Sequence, residues 1–281
     1  MFPEERVKER ERLYGELENH PKKPKLWLAY GDFLEQEWRD YRTAILIWKK
    51  LQKLVPQWDW RPRLGAAYSR AGEHEKGINL IKVSLRSHTS ELGYCNLGQA
   101  YLRTGKYKLA QDAFRQLLVL NPKNEEGHFL LGKALWKSGA TEKGYDCFQE
   151  AIRLDPKYPE AWFWIGFYLS QKTEDSEGAL YAFKKAVEFE PTYGQAKQIM
   201  AVILDQLDRF EEAETYFKES IQEFPEIANF HQEYAKFLKK RGRHEEAKAF
   251  NRNARELKNG YKTIRHAGHL VDLTHLDLTS T

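Results

Sequence analysis

The sequence predicts an all-α fold in which helix-turn-helix units are stacked along the chain. Residues 91–158 contain two copies of one unit, because Gly98 is matched by Gly132 and Phe114 by Phe148, each 34 positions later. Within each copy, apolar residues recur at three- and four-residue steps, which is the period of an amphipathic helix. A fixed period of this length indicates a supersecondary unit that buries its apolar face by stacking on its neighbours.

Composition agrees with a large, well-packed helical core. Hydrophobic residues make up 41% of the 281 positions and aromatic residues 14%, whereas there are only two Met, so rigid rings dominate the predicted core. The net charge of +4, from 45 basic and 41 acidic residues, is a small excess. No long basic run of the kind found in non-specific nucleic-acid binders accompanies it.

The ends and the cysteines predict a cytoplasmic protein. The first residues contain no apolar segment typical of a secretory signal, and no stretch approaches the ~18 apolar residues that a membrane span requires. Cys95 and Cys147 have neither the number nor the spacing of a disulfide framework or a metal site, so we interpret them as reduced thiols.

Residues 1–23 are predicted to form an N-terminal capping helix. Residues 3–19 alternate acids and bases, and Glu4 and Lys8 have the spacing of a helical ion pair. The run Asn19-His20-Pro21 should end this helix. Because a terminal repeat needs a polar outer face, we expect the helix to cover one end of the stack.

Seven units are predicted over residues 24–260. Their boundaries are 24–57, 58–90, 91–124, 125–158, 159–193, 194–227 and 228–260. Each unit has two small residues, 12 or 13 positions apart, at the places where its two helices must approach closely. The units beginning at Pro24 and Pro159 carry one extra residue, which we expect in the inter-helix turns around Arg39 and Asp175.

These units resemble the tetratricopeptide repeat. The clearest match consists of Trp162, Ile165, Gly166, Leu169, Ala179, Phe183, Ala186 and Pro191. The resemblance implies a right-handed superhelical solenoid in which the first helix of each unit lines a concave groove. The first unit is also similar to the half-a-TPR variety of RNA-processing assemblies, through Trp27, Tyr30, Phe33, Glu35, Ile47 and Trp48. The alternative is that a terminal repeat is simply atypical.

The groove face of the first helices is predicted to bind a partner. Its centre is aromatic and a basic stripe accompanies it. The predicted partner-binding residues are Arg70, Arg103, Phe129, Lys133, Trp136, Lys137, Phe163, Trp164 and Phe167. Apolar anchors beside positive charge suit a protein or peptide segment with apolar and acidic residues. The alternative is that these rings pack against second helices or against the C-terminal tail.

One known specificity of the family is not expected here. Co-chaperones of this family clamp the terminal carboxylate of heat-shock proteins with a Lys and an Asn, then an Asn, then a Lys and an Arg, on three successive units. Asn96 matches the middle position. The flanking positions hold Pro62 and Ala66 on one side and Glu126 and Leu130 on the other. We therefore predict no such clamp.

No catalytic, cofactor or metal constellation is recognisable. The sequence has neither a phosphate-binding glycine loop nor an HExxH motif, and His266, His269 and His275 complete no ligand set. We predict a non-catalytic protein–protein interaction scaffold without a membrane span. An RNA-binding solenoid is the alternative, because aromatic side chains interleaved with bases also suit single strands. An enzyme is the third, least favoured hypothesis.

The tail, residues 261–281, follows the last repeat. Leu270, Leu273 and Leu276 are three residues apart, which permits an apolar helical face, but the Thr content disfavours a stable helix. Capping of the last repeat, docking into the protein's own groove and disorder are all open, and we favour partial docking.

Overall fold

The computed structural model describes residues 3–173 and 175–264, and these residues form helices and short turns without any strand. They fall into two compact units, one up to Ser138 and the other from Gly139 onward. The predicted all-α, helical repeat class is confirmed within each unit.

Helices of similar length follow one another along both units. The first unit contains α1 (Pro3–Asn19), α2 (Pro24–Phe33), a π-helical turn (Leu34–Trp38), α3 (Tyr41–Leu54), α4 (Arg61–Arg70), α5 (His74–Ser87), α6 (Glu91–Arg103), α7 (Tyr107–Leu120) and α8 (Glu125–Lys137). The second contains α9 (Thr141–Leu154), α10 (Pro159–Lys172), α11 (Ser176–Phe189), α12 (Gly194–Gln206), α13 (Phe210–Glu223), α14 (Ala228–Lys240) and α15 (His244–Ile264).

Local side-chain caps mark where α6 and α8 begin. The Ser90 hydroxyl accepts a hydrogen bond from the Gly93 amide at 3.1 Å, before α6. The Asn124 side chain accepts one from the Gly127 amide at 2.6 Å, before α8. Each cap satisfies an amide that the helical ladder leaves without a partner. The sequence therefore fixes the starting points of α6 and α8 locally.

Small residues allow the two helices of a pair to approach closely, as predicted. A Cβ built on each of these glycines would lie at most 3.0 Å from a bulky side chain of the second helix. The pairs are Gly31 with Trp48, Gly65 with Ile81, Gly98 with Phe114, and Gly166 with Phe183. Because the four bulky side chains are fully buried, glycine is the residue that these positions require.

Polar contacts between successive repeats span about one repeat period. The Asn96 amide donates to the Pro62 carbonyl oxygen, 34 residues earlier, at 3.1 Å. Lys240 pairs with Asp205, 35 residues earlier, at 3.0 Å. Arg70 pairs with Glu35 at the same separation in sequence. Equivalent helices of neighbouring repeats therefore lie side by side in each unit.

The extra residue of the first repeat lies in the helix rather than in the turn. The chain forms a π-helical turn at Leu34–Trp38, and Arg39 then adopts a left-handed conformation with φ of 52°. A π-turn accommodates one inserted residue within a helix. The prediction of a longer inter-helix turn is therefore wrong in this detail. The π-turn itself carries Glu35, which lies in the groove described below.

The two ends of the described chain differ in their packing. Leu13 and Leu17 of α1 are buried in the same core cluster as Trp27 of α2. At the other end, α15 continues to Ile264, past the predicted limit of the last repeat at residue 260. Residues 265–281, with the tail histidines and leucines, lie outside the described residues.

Candidate functional site

Two cavities lie along the first helices of the first unit. The polar cavity has a volume of about 570 Å³ and is lined by Asp32, Glu35, Gln36, Arg39, Tyr41, Arg63, Ala66, Arg70, Leu92, Asn96 and Arg103. The cationic pocket has a volume of about 530 Å³ and is lined by Gln99, Leu102, Arg103, Tyr107, Leu130, Lys133 and Lys137. Arg103 lines both. These cavities form the candidate site.

Charges in the polar cavity compensate one another. Arg63 forms an ion pair with Asp32, and Arg70 forms one with Glu35. The side chain of Glu35 is only 10% exposed, and its carboxylate also accepts a hydrogen bond from the Trp48 indole at 2.8 Å. Arg70 was predicted as part of a basic stripe, but its charge is therefore already matched within the protein.

The cationic pocket has the opposite character. Its lining combines Arg103, Lys133 and Lys137 with the aliphatic side chains of Leu102 and Leu130, and the described residues contribute no carboxylate to it. Among the residues that the structure describes, neither Arg103 nor Lys137 forms an ion pair. The pocket thus presents positive charge beside apolar surface.

The helices themselves explain why these cations converge. Lys133 and Lys137 are four residues apart on α8, so they project from the same face. Arg103 and Lys137 are the last residues of α6 and α8, where the partial negative charge of a helix C-terminus favours a cation. Neighbouring first helices therefore bring their basic ends to one pocket.

The electrostatic environment of Arg103 is unfavourable to its charge. Desolvation lowers the pKa of the guanidinium, and the positive charge of Arg70 lowers it further, while Tyr41 and Glu35 act in the opposite direction. Arginine nevertheless stays protonated in proteins. An anion bound beside Arg103 would therefore relieve an electrostatic cost that the folded chain already carries.

The first unit contains two residues of the predicted aromatic centre, Phe129 and Trp136, and they are largely buried. Phe129 is 6% exposed, and the Lys133 ammonium lies 5.3 Å from its ring centroid. Trp136 is half-buried on the same helix. Phe129 and Trp136 both take part in contacts within the protein.

The predicted aromatic residues of the second unit belong mainly to its core. Phe163 is 6% exposed, and its ring centroid lies 5.5 Å from that of Phe183 and 4.9 Å from that of Tyr193. Trp164 stacks on the buried Phe148 at 5.6 Å, and Phe167 stacks on Phe163 at 6.3 Å. These rings contribute packing, and their role in binding a partner stays a prediction.

Asn96 and Cys95 have structural explanations. Asn96 is buried, and its amide is engaged by the carbonyl oxygen of Pro62 on the preceding repeat. Burial raises the pKa of the Cys95 thiol to about 12, and the nearby carboxylate of Glu126 contributes in the same direction. Cys95 is therefore protonated at neutral pH, which disfavours nucleophilic chemistry.

The described ranges, 3–173 and 175–264, show neither a metal-ligand cluster nor a membrane span. Over these residues, no three His, Cys, Asp or Glu side chains are grouped as metal ligands. None of the helices in the same ranges is long and apolar enough to cross a membrane. The tail histidines lie outside these ranges.

The predicted partner-binding residues left out four members of the cationic pocket's lining, of which Gln99 had been expected on the groove face: Gln99, Leu102, Tyr107 and Leu130. Tyr107 begins α7, the second helix of its pair, and reaches the pocket across the short turn after Arg103. Only first helices were considered as groove-lining, so this residue was not found. The close spacing of Arg103 and Tyr107 around a glycine turn was the available signal.

Helix-turn-helix pairs with small residues at the inter-helix contacts define a helical repeat protein. Models of the tetratricopeptide repeat match residues 95–158, 147–181 and 194–226. The chain therefore contains tetratricopeptide repeats over residues 95–181 and 194–226. A comparison with curated protein sequences found no match.

Solved structures show the same fold at low sequence identity. PilF of Pseudomonas aeruginosa is 20% identical with a TM-score of 0.64, and the match covers 72% of this chain and 92% of that one. A chain of the APC/C hetero-tetramer Cut9–Hcn1 is 19% identical with a TM-score of 0.62, over 77% of this chain and 44% of that one. A thermophilic TPR protein of Thermus thermophilus, TTC0263, is 18% identical with a TM-score of 0.52, over 64% of this chain and 98% of that one.

Proposed function

We propose that this protein is a non-catalytic interaction scaffold whose cationic pocket binds a protein segment with acidic and apolar residues. The observation that carries the proposal is the lining of that pocket, where Arg103, Lys133 and Lys137 lie beside Leu102 and Leu130 and no carboxylate comes from the part of the chain that the structure describes. Positive charge would guide and orient an acidic segment, and the apolar surface would hold its aliphatic side chains.

Fold and relatives support this class of function. Tetratricopeptide repeats generally mediate protein–protein interactions, and the Cut9–Hcn1 structure is itself described as a hetero-tetramer. Burial also raises the pKa of the Cys95 thiol to about 12, which disfavours nucleophilic chemistry at this residue.

RNA binding has less support from the side chains. A single-strand site needs aromatic faces on which bases can stack. Phe129 and Phe163 are each 6% exposed, so their faces are covered by the protein. Tight, salt-dependent binding of single-stranded RNA in place of acidic peptides would reverse this preference.

Binding of labelled peptides tests the proposal on the full chain. Three synthetic peptides of equal length, alternating Leu with Asp, Asn or Lys, are compared by fluorescence anisotropy at low and high ionic strength. We expect only the Asp peptide to bind, and added salt to weaken it, because screening acts on exposed charge pairs.

A matched pair of variants assigns this binding to the pocket. Arg103→Gln with Lys137→Gln removes two pocket charges, whereas Lys108→Gln with Lys123→Gln removes two exposed charges that line neither cavity. The pocket variant should bind the Asp peptide about two- to thirtyfold more weakly, and the control should not change. Equal binding of Asp and Asn peptides, or an unaffected pocket variant, would refute the proposal.

A further inference from the structure

We propose that the polar cavity of the first unit binds a phosphorylated side chain of the same partner segment that enters the cationic pocket. The inference rests on the proposed function, because it names a modification of that segment. Arg103 lines both cavities. The rest of α6 also contributes to both, since Asn96 lines the polar cavity and Leu102 lines the cationic pocket. The cavities therefore adjoin at α6, and one segment lying across this helix can reach both.

The polar cavity has positive charge in excess. Four arginines and two carboxylates line it, which leaves two positive charges over. Both carboxylates are held in ion pairs with two of the arginines. The other two, Arg39 and Arg103, form no ion pair within the described ranges of the chain. An anion that entered this cavity would find two guanidinium groups available.

Arg39 occupies a backbone position that favours glycine. It lies two residues before α3, in the left-handed conformation with φ of 52°. Four other repeats have a glycine with positive φ at the same place, two residues before their second helix: Gly72, Gly105, Gly139 and Gly242. A side chain in this conformation costs energy that glycine avoids, and such strain collects at functional sites. The lining of the polar cavity, to which Arg39 contributes, gives this arginine a use.

The type of cation indicates which anion the polar cavity selects. A guanidinium is a planar fork that can bind two phosphate oxygens at once, whereas the ammonium groups of the cationic pocket act as point charges. A phosphorylated serine or threonine carries a charge of about −1.5 to −2 at neutral pH and three acceptor oxygens. This charge matches Arg39 and Arg103 together. Tyr41 and Gln36 line the same cavity and carry further hydrogen-bond donors.

Peptides that carry a phosphate at one end test the inference on the full chain. The peptide that alternates Leu with Asp, here called the Leu-Asp peptide, is extended by Gly-phosphoserine, Gly-Ser or Asp-Asp. Each extension is placed at the amino end in one set and at the carboxyl end in another, so both directions across α6 are covered. In one direction, we expect the phosphoserine peptide to bind about tenfold more tightly than its Gly-Ser counterpart. Asp-Asp should gain less, because a carboxylate offers fewer acceptor oxygens.

Matched variants assign this gain to the polar cavity. Arg39→Gln removes a cation that lines only this cavity, whereas Arg42→Gln removes an exposed cation of α3 that lines neither. The first should abolish most of the phosphoserine gain and the second none of it. Arg39→Gly should abolish the gain as well, and it should not lower the urea midpoint, because glycine suits the left-handed position. Binding of the unextended Leu-Asp peptide should be the same in all three variants.

Three results would overturn the inference. The first is the absence of a phosphoserine gain in both directions. The second is an equal gain from Asp-Asp, because the site would then respond to charge alone. The third is a gain that persists in Arg39→Gln and Arg39→Gly, because the phosphate would then be bound elsewhere.

The unextended Leu-Asp peptide separates failure of this inference from failure of the proposed function. If it binds and depends on Arg103 and Lys137, but phosphoserine adds nothing, the scaffold function stands and the phosphate site is refuted. If it does not bind, but phosphoserine on the Leu-Asn peptide binds in a way that depends on Arg39, the phosphate site stands and the proposed use of the cationic pocket fails. If no peptide binds, both proposals fail.

Discussion

A Cβ atom added to Gly98 would lie 2.5 Å from Cε1 of Phe114, whose ring is fully buried between α6 and α7. Real Cβ atoms do not approach a neighbour this closely, so either the ring or the helix would have to move. The same relationship links Gly31 to Trp48 in the first repeat. Glycine at positions 31 and 98 is thus required by the ring that each one contacts.

Gly98→Ala should therefore destabilise the protein, although alanine favours helices. Alanine gains about 1 kcal/mol of helix propensity over glycine, but overpacking a filled core costs about 1–3 kcal/mol. We expect a net loss of up to about 2 kcal/mol in the free energy of unfolding, measured in urea and by hydrogen exchange of the α6 amides. Combining it with Phe114→Leu should give less than the sum of the two losses. Additive losses would contradict the steric explanation.

Two glycines with open space around them should respond to alanine in opposite directions. Neither Gly105 nor Gly15 has an atom within 4 Å of a built Cβ, but Gly105 has φ of 71° whereas Gly15 lies inside α1. Gly105→Ala should lose about 1 kcal/mol because the left-handed conformation disfavours a side chain. Gly15→Ala should gain about 0.5–1 kcal/mol from helix propensity. Urea unfolding of both variants measures the difference, and a change of the same sign in both would contradict the backbone argument.

Asp205 should contribute to the stability of the second unit. Its side chain is 9% exposed and pairs with Arg241 and with Lys240. Arg241 also lies over the rings of Phe210 and Phe237, at 3.9 and 4.1 Å from their centroids. Asp205→Asn keeps the shape but leaves the guanidinium without its carboxylate, so we expect a loss of about 1–3 kcal/mol in unfolding free energy.

Asp146→Asn is the matched control for this substitution, because Asp146 is exposed on α9. Its effect should stay within about 0.5 kcal/mol. Equal effects of the two substitutions on the urea midpoint would show that the pairing of Asp205 contributes nothing measurable.

Much of the fold follows from the sequence because the repeat imposes it. Glycine at positions such as Gly98 is required by packing, so the period of the markers predicts the helix pairs. The pairing of Arg70 with Glu35 could also have been inferred, since these residues are one repeat apart. The π-turn before Arg39 could not, because an inserted residue fits a helix or a turn equally well in the sequence pattern.

The surroundings of the predicted site residues were harder to predict than the fold. The first helices do line cavities in the first unit, but helical period alone does not distinguish an exposed ring from a buried one. Phe163 has the same spacing as a groove residue, yet Phe183 and Tyr193 cover it. Which cations keep their charge available depends on neighbours that come together only in the folded chain, as Glu35 does with Arg70.

Glu214 should make stability depend on pH in the acid range. Burial alone would raise the pKa of this carboxyl, but hydrogen bonds from Lys218, Arg243 and Tyr234 outweigh it and lower the pKa to about 2. A lowered folded pKa stabilises the protein above the unfolded value of 4.5, and this contribution is lost as the pH falls toward 2. The loss should reach up to about 3 kcal/mol for this group.

Glu214→Gln isolates this contribution from those of other carboxylates. The variant should be less stable than the unaltered chain at neutral pH, and the difference should shrink as the pH falls from about 5 to about 2. Urea unfolding across this range measures it. A difference in stability that is independent of pH would mean that ionisation of Glu214 does not contribute.

Arg103→Gln should separate stability from binding. Desolvation and the charge of Arg70 lower the pKa of Arg103, which means that Tyr41 and Glu35 compensate this charge only in part. Because Arg103 remains exposed, solvent screening keeps the cost small, and its removal should leave the unfolding free energy unchanged or raise it by up to about 0.5 kcal/mol. Binding of the Leu-Asp peptide should weaken in the same variant.

Arg70→Gln is the contrasting substitution, because it leaves the nearly buried Glu35 without its ion pair and should lower stability. A loss of stability in Arg103→Gln as large as that in Arg70→Gln would show that Arg103 is a structural residue, whereas retained stability with weakened binding assigns its charge to the ligand.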